Sequence, residues 1–555
     1  MSVMPSSSKG AILTSPDQHP KAVEPVTLIL TVLLSILGAV IGLHLITTLG
    51  ITANTSVIGA LVAMMVARIP ISRQLRKLRS VHRQNLVQTA ISGATFAAAN
   101  SLLVPIAVPY VLGRADLVWP MLLGAAIGLT VDIYVLYRIF DSKLFPARDP
   151  WPSGVASAET IIAGDEGGRK ALVLGLGGLV GFVGSFLKVA GNALPFSAAG
   201  VAFIGNVWAL AMFGIGLGAR QYGEEWFGVN LDELYIPHGF MVGAGLVALL
   251  QAVLLLSRRE PGAGRREAEQ EAAERNERLG VTVNEVGLRK ALTQGYLLFT
   301  SGALVVALLG GILGDLGPLG LLGWCLLAGF GALVHQMIVG LAAMHSGWFP
   351  AFAVTLIFLV LGLVIGIPTV GLALFTAYVA ATGPAFADMG YDLKAGWMLR
   401  QGSTPHLLVE RAGRKQQVFA GLVGAGVALA VVALTWQSYF SESSIPPVSE
   451  VYAATVEAGL GDPGVLTNIL IWAVPGAIIQ FIGGPRRQMG VLLATGLLIL
   501  TPYAVWFVLG ALAIRLIWIR VKGEEAAMAD LYLVGSGVIA GNSLTDVSRV
   551  FRGSA

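Results

Sequence analysis

The sequence is poor in charge and has a single cysteine. Asp, Glu, Lys and Arg make up 12% of its 555 residues, about half the share found in soluble proteins. Hydrophobic residues make up 55%. This balance excludes a soluble globular protein and predicts a polytopic membrane protein. Cys325 lies in an apolar run, so neither a disulfide within the chain nor a cysteine metal site is expected.

Several catalytic and nucleotide-binding motifs are missing. The sequence contains no Gly-x-x-x-x-Gly-Lys-Ser/Thr phosphate loop, so we expect no ATP hydrolysis within this chain. It also contains no Gly-x-Ser-x-Gly elbow and no Cys/His zinc motif. The net charge of +4 comes from Lys and Arg in short loops, where such residues set membrane topology. We therefore expect no metal, no organic cofactor and no nucleic acid.

Long apolar runs dominate the rest of the chain. A helix that crosses a bilayer needs roughly 17 to 25 apolar residues. The sequence therefore predicts an all-α polytopic membrane protein of about 14 to 16 helices. The runs lie at 26–48, 54–69, 86–112, 118–140, 171–190, 195–218, 236–256, 292–313, 318–344, 348–366, 367–382, 418–436, 465–483, 488–520 and 529–550.

The chain divides into two transmembrane halves. We predict a disordered cytoplasmic tail at 1–22, halves at 23–256 and 291–555, and a charged cytoplasmic linker at 257–290. The halves look related, because FMVGAGLVA at 240–248 resembles YLVGSGVIA at 532–540, and GRKALVLGLGGLVG at 168–181 resembles GRKQQVFAGLVGAG at 413–426.

Loop charges predict an amino terminus in the cytoplasm. The same rule requires an even number of crossings between Lys170 and Arg258, where three apolar runs occur. One of those runs is therefore expected to be re-entrant or broken.

The most unusual polar segment is GPAFADMGYDLKAGWMLRQGST, from Gly383 to Thr404. It places Asp388, Asp392, Lys394 and Arg400 between two apolar runs, where charges are costly and mark a pathway or a site. The two aspartates are four residues apart and share one face of a helix. They could carry a proton, bind a cationic substrate group or pair with Lys394 or Arg400; a solvated helix cap is the alternative.

Other candidates are more isolated. Asp132 lies within an apolar run and could carry a proton, or it could reach water near Arg138. His335 and His345 could titrate near neutral pH or serve only in packing. Ser153, Gly154 and Glu159 belong to WPSGVASAE, where a broken backbone could bind the ends of a peptide; a plain cytoplasmic loop is the alternative.

Five segments together resemble the oligopeptide transporter (OPT) family, which includes the yellow-stripe-like metal-chelate transporters. ADMGYDLKAG resembles the family's "MQDLKTG" signature, and WPSGVASAE resembles its "YPSGxAxAE" loop. RQNLVQTAISG resembles "ENxxIQTxASAG", with Gln84 where the family usually has Glu. HSGWFPAFAVT and GSGVIAGNSLTDV are further shared segments, so the resemblance runs from Arg83 to Val547.

The resemblance implies a transporter of bacterial type rather than an enzyme. We expect a multi-pass protein of the plasma (inner) membrane that imports short peptides or peptide-like metal chelates with protons, and a homo-oligomer stays open. The resemblance also implies that Asp388, Asp392 and Lys394 line or gate the pathway. Asp132 or a histidine would carry the proton, and the WPSG segment would supply backbone contacts.

A membrane-embedded Mg²⁺-dependent prenyl or lipid transferase is the alternative. Such an enzyme can hold Mg²⁺-diphosphate with Asp-x-x-x-Asp, the spacing of Asp388 and Asp392. It generally needs a second acidic cluster, for which Asp165 and Glu166 are the best candidates. A passive channel is a third option.

Overall fold

A computed structural model describes the chain over residues 12–48, 55–68, 79–187, 195–257, 281–347, 350–404, 406–442, 444–459, 463–499 and 504–552. Over these ranges the secondary structure is helical, with no β-strand. Ten of the described helical segments are long and apolar enough to cross a membrane. The predicted all-α polytopic fold is therefore confirmed.

The described residues of the first half form ten α-helices. Between α3 and α4 the chain forms a π-helix, Ala97–Leu103, so that Val81–Val111 is one continuous helical span. The helices are α1 Pro25–Thr48, α2 Thr55–Arg68, α3 Val81–Phe96, α4 Val104–Val111, α5 Val118–Ile139, α6 Pro152–Glu166, α7 Gly168–Phe186, α8 Pro195–Ile204, α9 Val207–Phe227 and α10 Ile236–Ser257.

The second half follows residues 258–280, so most of the predicted linker lies outside the described residues. Its helices are α11 Glu285–Leu309, α12 Leu313–Ser346, α13 Ala351–Ile365, α14 Thr369–Ala380, α15 Pro384–Leu399, α16 His406–Ser441, α17 Pro447–Ala458, α18 Pro463–Arg487, α19 Met489–Leu498, α20 Ala504–Lys522 and α21 Glu524–Arg552.

The order of helices in the first half recurs in the second, about 295 residues further along the chain. Thus α6 and α17 begin at Pro152 and Pro447, and α8 and α19 begin at Pro195 and Met489. The packing recurs as well, because α10 lies against α18 just as α21 lies against α7. In this correspondence α11 has no counterpart among the described helices.

One of the two sequence matches follows this repeat. The match between 240–248 and 532–540 joins α10 to α21, as the repeat requires. The match between 168–181 and 413–426 joins α7 to α16, although α7 corresponds to α18. This second match therefore does not reflect the repeat. Gly-rich apolar segments resemble one another easily, because tight helix packing in membranes favours glycine in many helices.

The helices form two bundles. The four-helix units α7–α10 and α18–α21 pack against each other, and the remaining helices form a larger bundle around α3, α5 and α15. Close contacts in the smaller bundle are made by glycines, for example Gly181 of α7 against the backbone of Val538. Such close backbone approach is typical of membrane helices.

The two halves run in opposite directions at their centre. The span α3–α4 corresponds to α14–α15, and Gln88 faces Asp392 while Ser92 faces Asp388. The residue numbers rise on one helix as they fall on the other, so the two spans are antiparallel. Corresponding spans that are antiparallel define an inverted repeat, and transporters with such repeats bind substrate where the halves meet.

The predicted tail and the short helix α8 also bear on the topology. Residues 12–22 pack against the helix ends of the larger bundle, with His19 5% and Ala22 2% exposed, so this part of the predicted tail is not free. The predicted apolar run 195–218 is divided in the structure into α8 and the first part of α9. It is therefore the broken run expected between Lys170 and Arg258.

Candidate functional site

The candidate site lies at a break in the helical span from Thr369 to Leu399. The break is at Gly383, whose φ of 90° is accessible to glycine and disfavoured for other residues. Pro384 then opens α15, a favoured position because proline has no amide proton to leave unpaired. Asp132 of α5 is fully buried there, and its Oδ2 accepts a hydrogen bond of 2.6 Å from the Gly383 amide.

Two carboxylates follow the break on one face of α15, as their spacing predicted. Asp388 is 1% and Asp392 0% exposed. Ser92 Oγ donates a hydrogen bond to Asp388 Oδ1, and Gln88 Nε2 donates one to Asp392 Oδ1. Ser56 Oγ of α2 lies 3.2 Å from Asp388 Oδ1 and 3.5 Å from Asp392 Oδ1. The two acids therefore share one hydroxyl and form a single pair.

The partners of this pair are neutral. Ser56, Ser92 and Gln88 are the side chains that hydrogen-bond the two carboxylates within the described residues. Asp392 Oδ2 has no hydrogen-bond partner there. Burial also excludes the predicted alternative of a solvated helix cap. The pair can therefore accept a cation or a proton.

The nearby cations point elsewhere, so a pairing of Asp388 or Asp392 with Lys394 or Arg400 is wrong. Lys394 Nζ donates to the carbonyl oxygens of Ala147, at 2.8 Å, and Asp149, at 3.0 Å. It also lies 4.6 Å from the centre of the Trp397 ring, within the range of a cation–π interaction. Lys394 thus fixes the loop between α5 and α6 to the end of α15.

Arg400 belongs to a buried ionic network. Its Nε and Nη2 lie 2.7 and 3.2 Å from the two oxygens of Glu410, and Arg414 Nη2 lies 3.2 Å from Glu410 Oε1. Arg400 Nη1 also donates to Gln417 Oε1 at 2.9 Å, and Gln417 Nε2 donates to the carbonyl oxygen of Asp392 at 2.6 Å. The network therefore braces the backbone of the acid pair without neutralising the carboxylates.

The WPSG segment is re-entrant. Phe140, at the end of α5, accepts a hydrogen bond from Arg414, and Ile161 near the end of α6 packs with Leu399. Both points lie at the same end of α15. Between them the chain reaches the start of α15, where Phe145 packs on Phe386. A plain loop at the membrane surface is therefore excluded.

The start of α6 fits tightly against α15. Trp151 is fully buried with φ of 41°, and its amide donates to the Met344 carbonyl at 2.8 Å. A Cβ added to Gly390 would overlap the Trp151 ring, and one added to Gly154 would lie 2.7 Å from Lys394 Cβ. The structure therefore brings the WPSG and DLK motifs into direct contact, and both glycines are required by the close approach of the two helices.

The remaining candidates do not join the acid pair. Ser153 is fully buried at the start of α6, and Glu159, 5% exposed, lies further along that helix with Glu166 and Lys170 as its charged neighbours. His335 Nε2 lies 2.9 Å from the Ala351 carbonyl and 3.1 Å from Thr355 Oγ1. His335 therefore has the hydrogen bonds of a packing residue.

His345 differs from His335. It is 2% exposed, and neither ring nitrogen has a hydrogen-bond partner among the described residues. Its carbonyl accepts a hydrogen bond of 3.1 Å from the Asn206 amide, which places it at the contact between the two bundles. The two histidines occupy separate environments and do not form a shared site.

The sequence did not indicate the side chains that contact the acid pair and its ionic brace. Ser56, Gln88, Ser92, Glu410 and Gln417 were not predicted as site residues. Gln88 and Ser92 are four residues apart in a family-like segment, and that spacing could have indicated a polar face toward α15. Ser56 and Glu410 carry no such signal, because nothing local to them predicts burial beside a second helix.

The geometry does not favour the transferase alternative. Asp388 and Asp392 face serine and glutamine rather than a second acidic cluster, and Asp165 and Glu166 lie at the far end of α6, where Glu166 pairs with Lys170. Within the described residues, no group of three or more His, Cys, Asp or Glu side chains could hold a metal ion.

The chain matches a known protein family over nearly its whole length. The family model described as "OPT oligopeptide transporter protein" matches residues 25–257 and 210–551. Among curated proteins no match was found. The matched residues include the acid pair, the re-entrant segment and the ionic network.

Proposed function

The chain belongs to the oligopeptide transporter (OPT) family, and from this premise we propose that it is a secondary active transporter. It takes up short peptides or peptide-like metal chelates together with protons. The chain has no phosphate-loop motif, so the energy comes from an ion gradient. Its place is the plasma (inner) membrane, with the amino terminus in the cytoplasm.

The observation that carries this proposal is the acid pair. Two buried carboxylates that share one hydroxyl, and that have no cationic partner among the described residues, repel each other in a medium of low dielectric constant. Binding of a proton or a cationic group removes this repulsion. The pair also lies beside a helix break and between the inverted halves, where repeat-built transporters bind substrate and coupling ions.

This assignment gives Asp388 and Asp392 the coupling role. Asp132 is less suited to it, because its Oδ2 caps the start of α15, and His335 is held by hydrogen bonds. Lys394 and Arg400 act by holding α15 in place. Ser153, Gly154 and the neighbouring backbone form one wall of the pathway, with Glu159 further along α6. His345 has ring nitrogens available for a substrate carboxylate.

Uptake into proteoliposomes tests the proposal. The vesicles carry an inward proton gradient and receive a labelled mixture of short peptides, with and without an Fe(III)-chelating member. We expect accumulation that a protonophore abolishes, and competition within the mixture then ranks peptide against chelate. Uptake that only equilibrates would instead indicate a passive channel, and accumulation that survives the protonophore would contradict proton coupling.

Replacing the coupling carboxylate gives a sharper test. Asp392→Asn keeps the shape of the side chain and removes its charge, so we expect loss of gradient-driven accumulation while exchange of substrate across the membrane persists. Asp116→Asn is the matched control, because Asp116 is exposed and paired with Arg114. Accumulation by Asp392→Asn at the rate of the unchanged protein would contradict the coupling role of Asp392.

A further inference from the structure

A short segment near the amino terminus lies across one end of the larger bundle. We call residues 13–22 the strap. At its start the Leu13 amide donates to Ser403 Oγ at 3.0 Å, and the Leu13 carbonyl accepts from the Thr404 amide at 3.0 Å. Ser403 and Thr404 follow directly on α15, the helix of the acid pair. The strap is therefore attached to the end of that helix through its backbone.

The middle of the strap is buried. Ser15 caps a short 3₁₀ helix, Pro16–Gln18, which brings His19 inward to 5% exposure. The His19 ring lies 5.2 Å from the His82 ring at the start of α3, and Arg400 and Glu410 are its charged neighbours. The strap thus covers the outer side of the buried ionic network.

The strap ends on α16 and α3. The Ala22 amide donates to Gln416 Oε1 at 3.0 Å, and Ala22 packs in an apolar cluster with Leu86, Ala90 and Ala420. Three helices therefore meet under the strap: α3, α15 and α16. These are the helices that supply Gln88, Ser92, Asp388, Asp392 and Gln417 to the candidate site.

The strap lies at the end of the larger bundle where the re-entrant segment enters and leaves, as shown by the contacts of Phe140 and Ile161. From the strap the polar path continues inward through Arg400 and Gln417 to the backbone of Asp392. The strap therefore covers the outer end of the polar network that leads to the acid pair.

We propose that the strap is a gate that closes this end of the pathway and detaches during transport. The inference rests on the proposed function, because a gate requires a transport pathway. The attachment suits a gate, because the strap is held by a small number of backbone hydrogen bonds, one of them at the Ala22 end. It does not rest on the ion pairs that brace the site, so it can leave without breaking them.

A reversible cross-link tests the gate. In a Cys325→Ala background, Leu13→Cys and Thr404→Cys are combined, because the residues are joined by a backbone hydrogen bond and a disulfide should form there. We expect oxidation to stop uptake and a reductant to restore it, whereas each single-cysteine variant is unaffected by oxidant. Uptake by the cross-linked double variant at the rate measured after reduction of the disulfide would overturn the proposal.

A second measurement does not depend on transport. Ser92→Cys, in the Cys325→Ala background, is labelled with a membrane-impermeant maleimide in chains with and without residues 2–22. We expect removal of the strap to speed labelling at least about tenfold, because the site then opens without a prior detachment. Ser441→Cys, an exposed position on α16, is the control and should react equally in both chains. Equal labelling of Ser92→Cys in the two chains would overturn the gate even if uptake fails for every substrate, so the two proposals can fail separately.

Discussion

Two ways of burying charge stand side by side in this protein. Glu410 is held by Arg400 and Arg414, so its charge is compensated within the fold. Asp388 and Asp392 receive hydrogen bonds from neutral serine and glutamine side chains. The first arrangement stabilises structure. Under the proposed function, the second keeps negative charge available to a proton or a cationic group.

The ionic network should be essential for stability. Glu410→Gln leaves two buried guanidinium groups without a counter-charge, and breaking such a buried pair costs about 3–5 kcal/mol. We expect a clear fall in the thermal unfolding temperature of the purified protein in detergent. Glu442→Gln is the matched control, because Glu442 is exposed in the turn directly after the same helix. Equal unfolding temperatures for the two variants would show that the network contributes little.

For single residues, the sequence predicts which face of a helix a side chain occupies better than it predicts which residues contact that side chain. The spacing of Asp388 and Asp392 placed them together on α15, and the structure agrees. Their neighbours come from α2 and α3, roughly 300 residues earlier, so no local pattern could indicate them. Because the actual partners lie so far away along the chain, the sequence suggested Lys394 and Arg400 instead, which are close to the acids in sequence.

Among the helices, the break at Gly383 has the clearest consequence. It lets α15 begin inside the bundle, against Asp132, five residues before Asp388. The sequence placed an apolar run up to residue 382 and a polar segment from 383, which matches this boundary. What it could not show is that the amide at the break is capped by a residue of α5.

Gly383→Ala should damage the site more than ordinary backbone strain explains. A Cβ at this position would lie 2.6 Å from His335 Nδ1, at a φ of +90°. Gly366→Ala is the matched control, because Gly366 has a φ of +80° and no atom within 4 Å of the added Cβ. Strain alone costs about 1–3 kcal/mol, so both variants should be less stable. Only Gly383→Ala should also lose uptake; equal uptake by the two would contradict this role of the break.

The strap should respond to acidity through His19. Burial, followed by the charges of Arg400 and His82, lowers the pKa of His19 from 6.5 to about 3, and Glu410 opposes this shift. The docked strap therefore favours neutral His19. As the pH falls below 6.5, only the detached strap gains a proton, so docking weakens progressively down to about pH 3. At pH 5 the effect on the docking equilibrium is up to about thirtyfold, since each unit is tenfold.

Labelling of Ser92→Cys between pH 7 and pH 5 measures this response, once the intrinsic pH dependence of the thiol reaction is corrected with Ser441→Cys. We expect the corrected rate to rise on acidification, and His19→Gln to remove the rise. His82, on α3, also faces His19, so a rise that persists in His19→Gln would assign the response to another group.

The Ser/Pro-rich composition of residues 1–22 predicted a disordered tail. That prediction fails for the strap, because composition does not reveal the backbone hydrogen bonds made by Leu13.

For the molecule as a whole, the smaller bundle depends on glycines. Gly181 of α7 leaves no room for a Cβ, which would overlap the backbone of Val538 on α21. Gly175, on the same helix, faces open space. Gly181→Val should therefore lower the stability by about 1–3 kcal/mol or more and reduce the yield of folded protein, whereas Gly175→Val should be tolerated. Similar thermal unfolding of both variants would contradict close packing of α7 on α21.

The sequence predicted two related halves but not their relative direction. The match between α10 and α21 located the repeat correctly, because both helices use glycines at the same positions against a neighbour. Similarity between two strings carries no information about orientation in the membrane. Only the antiparallel contact of α3 with α15 reveals the inversion.

The helices α7 and α21 have a consequence for the topology of the ends of the polypeptide. They run in the same direction, since Gly177 lies by Val534 and Gly181 by Val538. They also begin at the same end, where Arg169 pairs with Asp530. That end follows directly on α6 and is the end covered by the strap. A helix of 29 residues is about 43 Å long, enough to carry the chain across the bilayer. The odd helix α11 between the inverted halves therefore predicts that α1 begins and α21 ends on opposite sides of the membrane.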